Sequence, residues 1–402
     1  MLIILALLIL RIVQRLWYTY NGVDRKFKVS SSTLQGQHGI FEWRFDPRSD
    51  LESWLKHHDI NWQCHTFKTS DGVTIEYRRI GRGGSRPQRV IYLCNGVGTN
   101  LNMWLPVFMH LLSKSSEGGD SVDFFSNMTI IAPSYRGLFG SQSDSPVRVT
   151  FDNCVRDINE VLEHAEVKRV SCMIGWSTGA QIILKYVQIN PNIAEKLFLL
   201  NPACGQALHT VFQPVIPLPG FMGKCMSLSL NWVITTLRPV CQSQIWNLIK
   251  EVAVSDALFV GLTVFAFACG FPPEQPSYFM AYIEDTFASR YHTQHLLDLI
   301  TGLDTPLSSA ARCHPHRTTI VTGLTDVMTG CYHGESLALS MRNQQYKVML
   351  MGSHFLLIEF PDEVAQLILD LMSDELKRLR DRVDTKVKNR MKIVKRILEG
   401  KS

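Results

Sequence analysis

The feature that most constrains the fold is a pentapeptide, Gly-Trp-Ser-Thr-Gly at 175–179, which places Ser177 between two segments of different character. The preceding run, 167–174, is apolar and β-branched, whereas 180–187 is typical of a helix. In the order strand, Gly-x-Ser-x-Gly and helix, the glycines allow a sharp turn that exposes the serine hydroxyl at the edge of a sheet. Chance alone produces this pentapeptide in about one chain in ten of this length, so the surrounding sequence must support it.

Two later segments supply the partners that a nucleophilic serine needs. A serine hydroxyl requires a histidine base and a carboxylate that orients the imidazole. Asp326 follows a predicted buried strand at 318–323, and His354 follows another at 348–351. The order Ser177, Asp326, His354 is the one expected with such an elbow, and residues that follow parallel strands meet at one sheet edge. The alternatives are a turn serine, a carboxylate that caps a loop and a structural histidine.

When further motifs are added to these three residues, the chain resembles the α/β-hydrolase superfamily. The motifs span about residues 60–372: an Asp71-Gly72 hairpin between predicted strands 62–68 and 73–80, Asn-Gly-Val-Gly at 95–98 after strand 90–94, Arg136-Gly137 after strand 128–132, and Gly352 before the histidine. The resemblance implies an α/β fold with a mostly parallel central sheet, helices on both faces and an inserted helical cap.

The resemblance also implies roles for the loop after strand 90–94. The backbone N–H groups of Val97 and Thr178 are expected to form the oxyanion hole. Asn95 stands where the family usually has a histidine, which puts the bracing of this loop in question. Asn95, Gly96 and Trp176 are expected to line the substrate pocket, which the Trp176 side chain would narrow. The resemblance implies no cofactor, and we predict no metal site, because His292 and His295 lack a third ligand nearby.

Length and hydrophobic patterning divide the chain into four parts. We predict a membrane anchor at 1–28, a hydrolase core at 40–203 and 306–372, a helical cap at 204–305 and a basic amphipathic helix at 373–402. The cap stretch is unusually apolar, with runs at 231–237 and 257–271, which suits a pocket for an acyl chain and contact with a membrane. Ten scattered cysteines without a C-x-x-C pair favour a reducing compartment over a disulfide framework.

Both ends of the chain suggest contact with lipid. Residues 1–10 are wholly apolar, and Arg11 and Arg15 follow before Trp17 and Tyr18, which resemble an interfacial belt. This pattern favours an anchor over a buried helix, although whether it spans the bilayer stays open. Because the positive residues follow the apolar run, the catalytic body is expected on the cytosolic side, with the endoplasmic reticulum as the expected organelle.

The C-terminal segment holds the positive charge of the chain. Residues 375–402 contain eleven Lys and Arg against four Asp and Glu, a net of +7, whereas the whole chain carries +5. Leucines and valines recur there at helical spacing, so this helix either lies on an anionic membrane or packs on the body or a partner. The stripe lacks aromatic residues, and the rest of the chain is not basic, which argues against nucleic-acid binding.

The expected function is therefore that of a membrane-associated serine hydrolase that cleaves carboxylic esters with apolar acyl groups. Ser177 would attack the carbonyl, His354 would move the proton and Asp326 would orient His354. The expected partners are a small-molecule or lipid ester substrate and membrane lipids. Two alternatives stay open: an acyltransferase that uses the same triad, and a non-catalytic scaffold that binds lipid or protein through the cap.

Overall fold

Eight strands form one sheet at the centre of the protein. The computed structural model describes residues 47–372, apart from 83–88, 117–123, 142, 144–145, 206, 212, 214–219, 242, 244–289, 303, 305–315 and 342–343. The strands are β1 (Asn61–Lys68), β2 (Thr74–Gly81), β3 (Arg89–Cys94), β4 (Met128–Pro133), β5 (Val170–Trp176), β6 (Ala194–Leu200), β7 (Arg317–Gly323) and β8 (Gln344–Met349). Their order across the sheet is β1-β2-β4-β3-β5-β6-β7-β8.

The sheet is antiparallel only at one side. β2 pairs antiparallel with β1 and β4, and every later pairing from β4 to β8 is parallel. In the parallel part, Trp176 lies opposite Leu200, and Leu200 lies opposite Val321. The carboxyl ends of β5, β6, β7 and β8 therefore lie along one edge, where ligands bind in open α/β sheets.

Helices connect the strands. Their bounds are α1 (Pro47–His57), α2 (Leu105–Ser116), α3 (Phe124–Asn127), α4 (Phe151–His164), α5 (Thr178–Ile189), α6 (Gly220–Cys241), α7 (Arg290–Gly302), α8 (Cys331–Ser340), α9 (Leu356–Glu359) and α10 (361–372). Short 3-10 turns cover Leu101–Trp104, Phe139–Ser141 and Ala207–His209. Local sequence explains individual ends: Thr150 caps α4 by accepting from the Asn153 N–H at 3.2 Å.

Two hydrophobic cores lie on opposite faces of the sheet. Along β5, Cys172 and Ile174 belong to one core and Met173 to the other, because successive side chains of a strand alternate between faces. The first core contains side chains of α1, α2, α9 and α10, and the second contains side chains of α4, α5, α7 and α8. Because both faces are covered, the central strands are apolar throughout, as the sequence predicted for 167–174. The expected α/β-hydrolase fold class is confirmed.

The described part of the predicted cap, 204–305, is helical. The 3-10 turn Ala207–His209, α6 and α7 pack on one another. Asp304 joins them, because its carboxylate accepts from the Leu208 N–H at 3.0 Å and from the Ser227 hydroxyl. The apolar run at 257–271 lies outside the described residues.

The predicted membrane segments are also outside this part of the chain. The anchor at 1–28 and the basic helix at 373–402 both lie beyond the described residues. Within 47–372, leaving aside the gaps, no helix has both the length and the apolar character needed to cross a bilayer.

Candidate active site

Ser177 lies at the sharp turn between β5 and α5. Its backbone angles are φ 55° and ψ −118°, a conformation that residues with a side chain rarely adopt. Backbone hydrogen bonds hold it, since the Ser177 N–H donates to the Leu200 carbonyl at 2.9 Å and the Ser177 carbonyl accepts from the Ala203 N–H at 3.3 Å. Strained backbone conformations that the surrounding structure holds in place are common at functional sites.

The two glycines of the pentapeptide are required by the close packing of α5. A Cβ atom on Gly175 would lie 2.6 Å from the Ala180 Cα, and one on Gly179 would lie 2.3 Å from the Cys94 carbonyl oxygen. Both distances are impossible for real side chains. The glycines therefore let α5 begin directly against the ends of β3 and β5, which leaves Ser177 at the edge of the sheet.

Ser177, His354 and Asp326 form a continuous chain of hydrogen bonds. The distance from Ser177 Oγ to His354 Nε2 is 3.0 Å, and that from His354 Nδ1 to Asp326 Oδ2 is 2.8 Å. All three side chains are buried. With the proton on Nδ1 shared with Asp326, Nε2 is free to accept the Ser177 hydroxyl proton. This geometry suits a serine nucleophile, its general base and a carboxylate that orients the base.

Asp326 is held in position by the loop that follows β7. Its Oδ1 accepts the backbone N–H groups of Met328 and Thr329, both at 2.8 Å. Its Oδ2 lies 2.9 Å from the Thr329 hydroxyl, which also lies 3.3 Å from His354 Nδ1 and 3.0 Å from the Asn201 carbonyl oxygen. The carboxylate is fully buried, so these contacts satisfy a group that would otherwise be costly to bury.

The backbone of His354 has its own support. The Trp176 indole N–H donates to the His354 carbonyl at 3.0 Å, and the Asn201 side-chain amide donates to the same carbonyl at 2.9 Å. Asn201 also donates to the Ser353 carbonyl at 2.9 Å and accepts from the Gly323 N–H at 2.8 Å. One buried amide therefore connects the end of β6 to the end of β7 and to the loop that contains the histidine.

The residues predicted for the oxyanion hole lie on either side of Ser177. Thr178 is the first residue of α5, where a backbone N–H has no partner within the helix. Val97 lies in the loop after β3 and is partly buried. Gly96 is next to Ser177, because a Cβ atom on it would lie 3.4 Å from the Ser177 Cβ.

Asn95 and Trp176 support the site from inside. The Asn95 side-chain oxygen accepts the Trp104 indole N–H at 3.0 Å, and its carbonyl accepts the Tyr135 hydroxyl at 2.5 Å. An asparagine thus braces the loop after β3. The Trp176 ring is buried against Gly96 and Phe355. The Trp176 indole N–H is directed to the His354 backbone, and the role of this side chain in narrowing the substrate pocket stays a prediction.

Buried Arg136 holds the loop after β4 in place through ion pairs. The Arg136 guanidinium bonds to Asp157 at 2.7 Å and to Asp71 in the β1–β2 hairpin at 2.9 Å. The hydrogen bond from Arg136 holds the pKa of Asp71 well below its usual range. Gly137 follows with φ +73°, and a Cβ atom there would lie 2.3 Å from the His295 ring. The hairpin and Arg-Gly motifs of the sequence therefore meet in one ionic cluster.

The two cap histidines bind this same loop. His295 Nε2 accepts the Val147 N–H at 3.0 Å, and its Nδ1 lies 3.0 Å from the Gly137 carbonyl oxygen. His292 Nδ1 accepts the Phe139 N–H at 3.3 Å. Burial lowers the pKa of His295, so its neutral form is favoured. Among the described residues, no group of three His, Cys, Asp or Glu side chains is arranged to hold a metal ion.

Two buried groups near the site are uncharged at neutral pH. Burial raises the pKa of the Cys94 thiol to about 12, so its reactive thiolate form is disfavoured. Burial lowers the pKa of His333 to about 4, and its Nε2 lies 2.6 Å from the Thr210 hydroxyl. The eight cysteines that the structure describes are all free thiols.

Sequence reasoning identified the three linked side chains but missed two residues that position them, Asn201 and Thr329. Both were detectable in part. Asn201 directly ends the apolar run of β6, at the same sheet edge as Ser177. Thr329 follows Asp326 by three residues, a spacing at which a carboxylate and a hydroxyl can meet within one turn.

The fold and this geometry define a chain of the α/β hydrolase family, to which the protein belongs. The model of that family matches residues 91–367, well over half of the chain. No curated protein matches the sequence.

Solved structures of low sequence identity share the fold. A hydrolase from Pseudomonas aeruginosa is 20% identical, with a TM-score of 0.55 over 77% of this chain and 98% of its own. An esterase from Exiguobacterium antarcticum is 20% identical, with a TM-score of 0.53 over the same two shares. The epoxide hydrolase CorEH is 16% identical, with a TM-score of 0.53 over 78% of this chain and 99% of its own. Because different chemistries occur on this fold, function has to be argued from the site.

Proposed function

We propose that this protein is a serine hydrolase that cleaves carboxylic esters through an acyl-enzyme on Ser177. The observation that supports it most directly is the pair of hydrogen bonds from Ser177 Oγ to His354 Nε2 and from His354 Nδ1 to Asp326 Oδ2, at 3.0 and 2.8 Å. A serine at the elbow, rather than an aspartate, favours acyl transfer over the chemistry of epoxide hydrolases.

The reaction follows from the positions of these groups. Ser177 Oγ attacks the ester carbonyl carbon while its proton moves to His354 Nε2, and Asp326 stabilises the resulting imidazolium. The carbonyl oxygen becomes an oxyanion, which we assign to the backbone N–H groups of Val97 and Thr178. His354 then donates its proton to the departing alkoxide. Water attacks the acyl-enzyme with His354 as base, which releases the acid and restores Ser177.

We propose that the substrate has an apolar acyl group and that the enzyme works at a membrane. The apolar run at 1–10 and the basic residues at 375–402 support this part of the proposal from sequence alone. Deleting residues 1–20 is expected to shift the protein toward the soluble fraction. A protein that stays wholly bound would assign membrane contact to the cap or the C-terminal segment.

The proposal is tested by turnover of p-nitrophenyl esters of increasing acyl length, from acetate to palmitate. Wild-type protein is expected to hydrolyse them, with Ser177→Ala lowering kcat/KM by roughly 10⁴-fold or more. Ser141→Ala is a matched control, because Ser141 is also buried but belongs to the clamped loop after β4. Adding an alcohol acceptor separates the alternatives: release of a new ester in place of free acid would identify an acyltransferase.

A further inference from the structure

The helix α6 in the cap turns apolar side chains outward. Phe221, Leu228 and Trp232 are 71%, 61% and 70% exposed, and Cys225 between them is exposed as well. Their spacing of four, three and four residues puts them on one side of the helix, here called the outer face of α6. The neighbouring Met222, Val233 and Leu237 are 41–45% exposed. One charged residue, Lys224, is exposed beside this face, three residues after Phe221 and four before Leu228.

The inner face of α6 combines buried apolar residues, Ile234 and Cys241, with polar groups that bond to the rest of the cap. Ser227 is buried and donates to Asp304, and the Asn231 amide lies 3.3 Å from Ser227 Oγ. Near the end of the helix, Arg238 bonds to Asp298 of α7 at 3.1 Å. These bonds fix the rotation of α6, which leaves its largest apolar side chains outside although Ile234 and Cys241 are buried on the inner side. Several large apolar side chains exposed on one side of a helix are unusual in water.

Two hydroxyl groups on the exposed side donate to the backbone of the helix itself. Thr235 Oγ1 donates to the Asn231 carbonyl at 2.7 Å, and Thr236 Oγ1 donates to the Trp232 carbonyl at 2.8 Å. In water such hydroxyls would have solvent as a partner, so the bonds matter most in an apolar medium, where each polar group needs an internal partner. The two threonine hydroxyls therefore have partners within the helix, and Lys224 supplies a positive charge beside the apolar side chains.

We propose that the outer face of α6 is a lipid-docking surface, on which the cap rests in the headgroup region of an anionic membrane. With Lys224, Asn231 and Arg238 in its length, α6 suits a helix that lies in the plane of the membrane. Tryptophan is enriched at that depth. The chain's net charge of +5, with +7 in residues 375–402, complements anionic headgroups and favours lipid over a second copy of this equally positive chain.

The location of α6 connects this surface to the nucleophile. α6 packs on the 3-10 turn Ala207–His209, four residues after Ala203, whose N–H bonds to the Ser177 carbonyl. A cap docked through α6 would therefore take its substrate from the membrane itself. This last step rests on the proposed ester hydrolase function, whereas the docking does not.

The test measures binding of the full-length Ser177→Ala protein to vesicles of phosphatidylcholine and phosphatidylserine. Turnover is absent in this background, so failure of the proposed chemistry leaves the binding result intact. The double variant Leu228→Gln/Trp232→Gln is compared with Ile189→Gln/Leu339→Gln, which changes two side chains that are 61% and 83% exposed on α5 and α8. We expect the first to lower the partition coefficient by at least about tenfold, and the second to change it less than about twofold.

A second measurement reports on the depth of Trp232. Brominated lipid in the vesicles should quench tryptophan fluorescence, and the Trp232→Phe variant should lose a distinct part of that quenching. Equal partition of the two double variants, with quenching unchanged in Trp232→Phe, would overturn the proposal. A melting temperature several degrees lower with unchanged partition would show that the protein itself covers this face. A change from dimer to monomer with unchanged partition would identify a second copy as the occupant; either result also overturns the proposal.

Discussion

The Asn201 side-chain amide donates a hydrogen bond to the main-chain carbonyl of His354 at 2.9 Å. Asn201 is fully buried and has φ 42°, in the left-handed region. The same side-chain amide, which directly follows β6, also bonds to Gly323 at the end of β7 and to Ser353 in the loop after β8. The position of the proposed base therefore depends on a residue that does not itself take part in the chemistry.

We predict that Asn201→Asp destabilises the protein and lowers turnover. The carboxylate keeps the shape of the side chain but has no donor for the Ser353 and His354 carbonyls, a loss of about 1–3 kcal/mol of unfolding free energy. Asn201→Gly separates the loss of the side-chain hydrogen bonds from any change in backbone strain, because glycine adopts the positive φ without strain. Urea unfolding and ester turnover measure both. Asn153→Asp is the control, because this partly buried asparagine of α4 also donates its side-chain amide to a carbonyl, that of Arg148; equal losses in the two aspartate variants would contradict the role of Asn201.

Thr329 is predicted to act as a positioning residue for Asp326 and His354. Thr329→Val keeps the volume but removes the hydroxyl, and kcat should fall by about tenfold to a hundredfold with KM little changed, since hydrogen bonds to charged groups contribute about 1.5–3 kcal/mol. Thr329→Ser should restore most of kcat. Thr318→Val is the matched control, because its buried hydroxyl donates to the His316 carbonyl at the opposite end of β7. A kcat equally reduced by both valine variants would refute a specific role.

His333 is predicted to make stability dependent on acidic pH. Burial lowers its folded-state pKa to about 4, below the value of about 6.5 expected in the unfolded chain. Between these two values the unfolded state binds more protons, so stability is complete above about pH 6.5 and is lost as the pH falls toward 4. The loss attributable to this residue is at most about 3 kcal/mol.

The melting temperatures of the wild type and of His333→Gln are measured from pH 7.5 to 4.5. This range covers about two pH units of the window in which His333 changes the stability. The variant should show a weaker decline in acid. His57→Gln, on the exposed side of α1, should follow the wild type. Burial also lowers the pKa of His295 and His316, so part of the acid dependence will remain. An identical slope in His333→Gln would contradict the assignment.

The sequence predicted the central strands well because they are buried on both faces and therefore apolar. It was less accurate for β8, predicted at 348–351 and found at Gln344–Met349. β8 lies at the edge of the sheet, where Gln344, Gln345 and Lys347 interrupt any apolar run. At β5 the predicted start, Val167, belongs to the turn after α4, where its N–H bonds to the Leu162 carbonyl.

The three linked side chains were predictable because strand ends in a parallel sheet meet at one edge. The supporting residues were predictable only in part, since the contacts of Asn201 and Thr329 depend on which strands are neighbours. The orientation of α6 was not predictable from the sequence either. Ser227 and Asn231 are residues that normally face solvent, and only their contacts with Asp304 place them inside.

Covalent labelling is the sharpest test of the proposed role of Ser177 as a nucleophile activated by His354. Full-length protein is incubated with a fluorophosphonate, and its intact mass and labelled peptide are determined. We expect one adduct, on Ser177, that is absent from Ser177→Ala and forms far more slowly in His354→Gln. A folded wild-type protein that stays unlabelled, or an adduct that persists in Ser177→Ala, would contradict it.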